Sequence, residues 1–213
     1  MPKRIEIKEK ILNSYIDHLL IEGVSPVSVY KLCKKLKIEE TDFYNNFGSF
    51  DQVENYFWEL LLKNTVDTCN ADSDDSYNAQ HSLLTFYYTL FENLKLNRSY
   101  LLLLNSSKRS QLELDVKLRK VFLTQFEQLA QKLNSPISKL SKKVGEKLST
   151  EVLWMHFIAI FHFWLNDTSP SFEKTDALIE KSVRAGIDLT ENVPTESLFD
   201  LGKFVFKEFR NFV

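Results

Sequence analysis

Apolar residues recur at helical spacing from near the start of the chain. Ile5, Ile11 with Leu12, Tyr15 with Ile16, and Leu19 fall on one stripe, which predicts a helix over about residues 3–21. Glu22-Gly23 ends it, because glycine suits the position just past a helix terminus. Ser28 is placed to cap a short second helix whose inward residues are Val29, Leu32, Cys33 and Leu36. A third short helix is predicted over about 39–45, with Phe43, Tyr44 and Phe47 packing back. Ser49 then caps a long helix over about 50–69, and Asp51 near its start suits the helix dipole.

Further helices are predicted near 79–95, 98–106, 109–133, 146–166, 172–190 and 196–212. The breaks between them fall at Asn97, Asn105-Ser106, Asn134-Ser135-Pro136, Asp167–Pro170 and Val193-Pro194-Thr195. The stretch 70–78, rich in Asp and Ser, reads as a solvated loop. With only 5 Gly and 5 Pro in 213 residues and an apolar fraction of 44%, the expected class is all-α with a packed core. No internal repeat, heptad run or low-complexity tract is visible.

Charge and reactive groups narrow the picture. The net charge is −2, so no global basic field points to nucleic acid. Residues 1–50 hold eight Lys/Arg against seven Asp/Glu, a net of +1. Cys33 reads as a small apolar core thiol, and Cys33 and Cys69 together form neither a disulfide framework nor a zinc spacing. A reducing, cytoplasmic location is expected, since the N-terminus lacks the apolar segment of a signal peptide. No membrane span is expected, because the most apolar run, Val152–Leu165, is too short and contains His156 and His162. Asp67, Asp72, Asp74 and Asp75 lack the spacing of a calcium loop, so neither metal nor cofactor is expected. No catalytic signature appears, so enzymatic activity is not expected.

The segment Ser28–Phe47 has the layout of a helix-turn-helix, two short helices joined by a tight turn. The second helix of such a pair lies in the DNA major groove. Here it carries Glu39, Glu40 and Asp42 and no Lys or Arg. A carboxylate accepts from cytosine N4, but it also meets the phosphates, so nearby cations must offset it. Lys31, Lys34, Lys35 and Lys37 are the candidates, with Lys3 and Arg4 as an N-terminal arm. The competing reading is that the third helix only completes a small core and the lysines form a solvated face.

Residues 5–60 resemble the TetR family of bacterial repressors. The resemblance rests on the first-helix stripe ending in Glu22-Gly23, on Ser28-Val29, Leu32 and Ile38, and on Phe43-Tyr44, Phe47, Ser49 and Val53 in the family's order. It implies a three-helix DNA-binding head over 1–48 and a helical ligand-binding and dimerisation body over 49–213, joined by the helix at about 50–69. On that plan the DNA-binding candidates are Ser28, Lys34, Lys35, Lys37, Glu40, Thr41, Asp42, Tyr44 and Asn45. Several positions depart from the family pattern, including Glu40, Thr41 and Asp42, where phosphate-binding or base-reading positions commonly hold Lys, Thr or Gly. Lys37 replaces a turn glycine, which predicts a remodelled turn, because positive φ is costly for a residue with a Cβ. Glu39 stands where a serine caps the third helix, and Phe50 stands where a phosphate-binding lysine is common.

The helix at 146–166 is apolar nearly all round and must be covered on several sides. Leu153, Phe157, Ile160, Phe161 and Trp164 share one face, and Val152, His156, Ala159 and Phe163 a neighbouring one. A homodimer interface is expected from His156, Ala159, Phe163, Leu178, Val183 and Ile187. A ligand pocket is expected from Phe86, Tyr87, Leu103, Phe122, Phe126, Trp154, Phe157 and Phe161. Plain core packing is the competing reading of these aromatics. His156 and His162 are six apart, a poor spacing for a shared metal. Lys139, Lys142, Lys143 and Lys147 form a basic cluster, read as a solvated face or a surface for an acidic partner. The expected function is a homodimeric transcriptional regulator that binds operator DNA and senses a hydrophobic small molecule. The alternative is a TetR-fold lipid- or ligand-binding protein without sequence-specific DNA binding.

Overall fold

Ile11, Leu12, Tyr15 and Leu19 do converge on a core. In the computed structural model of the chain they are 0–6% exposed on α1 (Pro2–Glu22). The structure describes residues 2–71, 78–106, 108–132 and 142–192. The further helices are α2 (Val29–Leu36), α3 (Glu40–Tyr44), α4 (Phe50–Ala71), α5 (Ala79–Lys95), α6 (Arg98–Leu104), α7 (Lys108–Lys132), α8 (Lys142–Asn166) and α9 (Glu173–Asn192), with a 3-10 turn at Pro170–Phe172. The described residues contain no strand. Most of these bounds fall within a few residues of the expected ones, and α8 begins a turn earlier. The expected helix at 196–212 and the breaks at 134–136 and 193–195 lie outside the described residues, as do Asp72, Asp74 and Asp75. No described helix is long and apolar enough to cross a membrane.

Two compact units form. The first takes the described residues up to Thr65 together with Glu92–Val121, and the second Val66–Phe91 and the described residues from Phe122 onward. The first unit thus includes α6 and parts of α4 and α7, and named contacts give the reason. The Phe57 and Tyr100 rings meet edge to face at 5.1 Å, and Lys117 Nζ donates to Glu54 Oε2 at 2.6 Å and to Asp51 Oδ1 at 3.4 Å. Glu54 also accepts from the Tyr15 hydroxyl at 2.7 Å, so one carboxylate ties α1, α4 and α7. Phe50 is a packing residue, stacked on Tyr15 at 5.3 Å and edge-on to Phe43 at 5.7 Å.

The second unit is built on aromatic rings. Phe157 of α8 lies 5.0 Å from Phe122, 5.6 Å from Phe126, 5.8 Å from Trp154 and from Phe161, and 6.5 Å from Phe91. Offset and edge-to-face pairs at such separations add to the apolar burial of the rings. The α8–α9 corner is held by the buried Asp167. Its carboxylate accepts from Ser169 N and Oγ at 2.8 and 2.7 Å, and from Thr175 N and Oγ1 at 3.0 and 2.6 Å. Burial raises the pKa of this carboxyl, but the hydrogen bonds from Thr175 and Ser169 outweigh it and bring the group down to about 2.

Candidate nucleic-acid interface and helical body

The α2–turn–α3 pair is assembled by local caps. Ser28 Oγ accepts from Lys31 N at 3.3 Å, which starts α2. Leu32 and Cys33 are buried, leaving Lys31, Lys34 and Lys35 on the exposed side. The Lys34 ammonium lies 5.6 Å from the centre of the exposed Tyr30 ring. At the end of α2, Lys37 N donates to Lys34 O at 3.3 Å and Ile38 N to Cys33 O at 3.1 Å. That pair of bonds is the Schellman motif, and it needs a left-handed residue between them. Lys37 supplies it, with φ 55° and ψ 45°. The turn is thus not remodelled: lysine takes up the left-handed conformation, and the capped carbonyls offset the strain.

The acids of α3 are placed differently from what their number suggests. The Asp42 carboxylate accepts the backbone N–H of Glu39 at 3.1 Å and so closes the start of the helix. Glu40 is half-buried, three residues from Phe43 and therefore on its side of the helix. Phe43 is 0% exposed. The face turned away from Phe43 is Thr41, Tyr44 and Asn45, all exposed and all uncharged. Of the DNA-binding candidates, Lys34, Lys35, Lys37, Thr41, Tyr44 and Asn45 are exposed on α2, the turn and α3, and Ser28 is half-buried in its cap. Asp42 is engaged in the cap, and Glu40 is turned aside. Lys3 and Arg4 sit in the first turn of α1 rather than in an arm. Burial pushes the Cys33 thiol above its ordinary pKa, and Glu40, Asp42 and Glu39 add to the shift.

In the second unit, Phe86, Tyr87, Phe122, Phe126, Trp154, Phe157 and Phe161 are brought together as buried residues. Leu103 stands on α6 in the first unit and is half-buried. Among the dimer candidates, Ala159 and Phe163 are exposed, in line with exposed Val152 and Met155 along α8. Leu178 and Ile187 are half-buried. Val183 is 2% exposed and packs inside its own chain, so it has almost no surface to offer a second copy.

His156 is also occupied internally. Ser182 Oγ donates to Leu178 O at 2.6 Å, so the same oxygen accepts from His156 Nε2, 2.8 Å away. The Nε2–H tautomer leaves Nδ1 as an acceptor, and the Tyr87 hydroxyl donates to it at 2.8 Å. Burial lowers His156 from an ordinary 6.5 to about 4 and pushes the Tyr87 phenol well above its usual range.

The family model for the tetracyclin repressor-like C-terminal domain matches residues 82–205, more than half of the chain. The chain belongs to the tetracycline-repressor-like (TetR) family. No curated protein matches it. The match starts on α5 and takes in the aromatic cluster, the Tyr87–His156–Ser182 chain and the Asp167 corner. Neither polar network is legible in the sequence as a unit, since each joins residues far apart or bridges a turn. The Asp-x-Ser-Pro pattern at 167–170 is a turn and cap signal that points to the second. The side chains of Lys139, Lys142, Lys143 and Lys147 lie outside the described residues. Among the described residues no group of three or more His, Cys, Asp or Glu is placed to hold a metal ion.

Proposed function

We propose that this TetR-like protein is a transcriptional regulator whose helix-turn-helix head binds operator DNA and whose body forms a homodimer and takes a hydrophobic small-molecule effector. The observation that carries the DNA reading is the separation of charge on α2 and α3. The lysines of α2 are exposed, while on α3 Asp42 is spent on a cap and Glu40 is half-buried on the Phe43 side, which leaves Glu39 at the N-cap as the exposed acid. A neutral reading face beside a cationic helix suits a groove lined by phosphates. The exposed apolar line of Val152, Met155, Ala159 and Phe163 supports a second copy packed along α8. The tetracyclin repressor-like match over 82–205, together with the apolar aromatic cluster inside it, supports an apolar effector, which would act by favouring one of two body conformations.

The test is fluorescence polarisation with the DNA upstream of the protein's own gene, titrated across salt. Specific binding is expected to weaken steeply with salt and to be lost in the Lys34→Glu, Lys35→Glu double variant. Absence of any specific complex at low salt would reject the regulator reading and leave the lipid- or ligand-binding alternative. Native mass spectrometry of gently purified protein tests the effector, and retention of a hydrophobic molecule is the expected result.

A further inference from the structure

We propose that a cleft between α1, α4 and the α5–α6 link binds a small uncharged molecule, an apolar ring that carries a carboxamide. All residues lining it belong to the first unit, so it shares none with the aromatic cluster of the second. The inference stands whether or not the head binds DNA.

The cleft has a volume of about 180 Å³. A cavity of about 150 Å³ already holds one benzene ring, so a single substituted ring fits. The floor is apolar. Leu12 of α1 and Phe57 and Leu61 of α4 line it and are only 3–5% exposed. Leu96 of the α5–α6 link also lines the cleft, yet it is 83% exposed. An occupant with apolar surface gains by covering it.

Charge and hydrogen bonding narrow the occupant further. No Lys, Arg, His, Asp or Glu lines the cleft. A charged molecule would lose hydration there and meet no opposite charge, which selects a neutral one. The polar lining is asparagine alone: Asn13 on α1, Asn64 on α4, Asn93 on α5 and Asn97 in the link. Asn93 Nδ2 donates to Thr65 Oγ1 at 3.0 Å, and Asn97 Nδ2 donates to Asn93 O at 3.5 Å. Both bonds engage the amide nitrogen, which orients the group and leaves Oδ1 to accept. Asn13 is exposed and offers a donor as well as an acceptor. A carboxamide has two N–H donors and one carbonyl acceptor. Its nitrogen can therefore serve Asn93 and Asn97 while its oxygen accepts from Asn13. A hydroxyl has too few protons for that set, a ketone has none, and a carboxylate is excluded by its charge.

The experiment titrates methyl-labelled full-length protein with benzamide by NMR, and in parallel with benzoate and with toluene. Benzamide is expected to bind saturably and to shift the methyl signals of Leu12, Leu60 and Leu61. Benzoate and toluene keep the ring but lose the N–H donors, so each is expected to bind roughly tenfold more weakly. Asn13→Leu removes one partner and is expected to weaken benzamide roughly two- to tenfold. Ile16→Trp fills the cleft from α1 and is expected to abolish binding. Asn13 is exposed, so its replacement keeps the test sound if the bulkier change disturbs folding. The proposal is overturned by the absence of saturable benzamide binding, or by shifts confined to methyls of the second unit. Benzoate or toluene binding as tightly as benzamide, or an unchanged affinity in Asn13→Leu, overturns it as well.

Discussion

The Tyr87 hydroxyl lies 2.8 Å from Nδ1 of His156, and it donates there because Nε2 on the far side of the ring gives its proton to Ser182. In that direction the bond exists only while the imidazole is neutral. A second proton on the ring would turn Nδ1 into a donor, so the hydroxyl would have to turn and accept, and the new charge would be buried. The group titrates at about 4 in the folded chain and at 6.5 when free. The unfolded chain takes up that proton first, so this contribution to stability is complete above pH 6.5 and is lost progressively as pH falls toward 4. Urea midpoints of the parent are expected to drop between pH 7 and pH 5.5. In His156→Gln the drop should be much smaller, and an equal drop would remove His156 as its source.

Lys37 is a residue in a glycine's place. With φ 55° it bears a left-handed cost of about 1 kcal/mol that glycine avoids. Lys37→Gly is expected to raise the thermal midpoint while weakening low-salt DNA binding through the lost cation. Calorimetry and polarisation on the same sample separate the two effects. A lower midpoint would show that the lysine side chain contributes more than its backbone costs.

Asp167 supports the α8–α9 corner through bonds from Thr175 and Ser169. Replacing it with alanine leaves those buried donors without an acceptor, at a cost of about 1–3 kcal/mol. The folded carboxyl titrates at about 2 against an ordinary 3.8. Its contribution is therefore fully present above pH 3.8 and disappears as pH falls through 2. Denaturation curves of Asp167→Ala and the parent should converge at the acid end. Curves as far apart at pH 2 as at pH 5 would contradict the assignment.

Phe157 lies fully buried among five other rings, so truncating it opens a hole that stiff neighbours fill poorly. Phe157→Ala is expected to cost about 3–5 kcal/mol, measured by urea unfolding. A cost under about 1.5 kcal/mol, the range of volume-conserving swaps, would mean the cluster repacks readily around a lost ring.

Phe163 is 42% exposed on the outer line of α8. In an isolated chain, Phe163→Lys should change stability by less than about 0.5 kcal/mol. Across a two-fold seam the same change buries two unpaired charges. Sedimentation velocity is expected to show a dimer for the parent and a monomer for the variant. Identical profiles would place the seam elsewhere.

The helical class, most element bounds and the two faces of α8 were legible in the sequence, because they follow from period and from breakers such as Gly23 and Pro170. Family membership also showed in the order of Ser28, Phe43, Tyr44, Phe47 and Ser49. What only the tertiary structure decided is how polar groups are spent. Composition counts Glu39, Glu40 and Asp42 as an acidic helix, yet a cap and a buried neighbour take two of them off the open face. The partners of His156 stand 69 and 26 residues away, beyond the reach of any local pattern. Periodicity reports which side of a helix is apolar. It carries no record of which donor meets which acceptor, since that depends on how separate helices pack side by side.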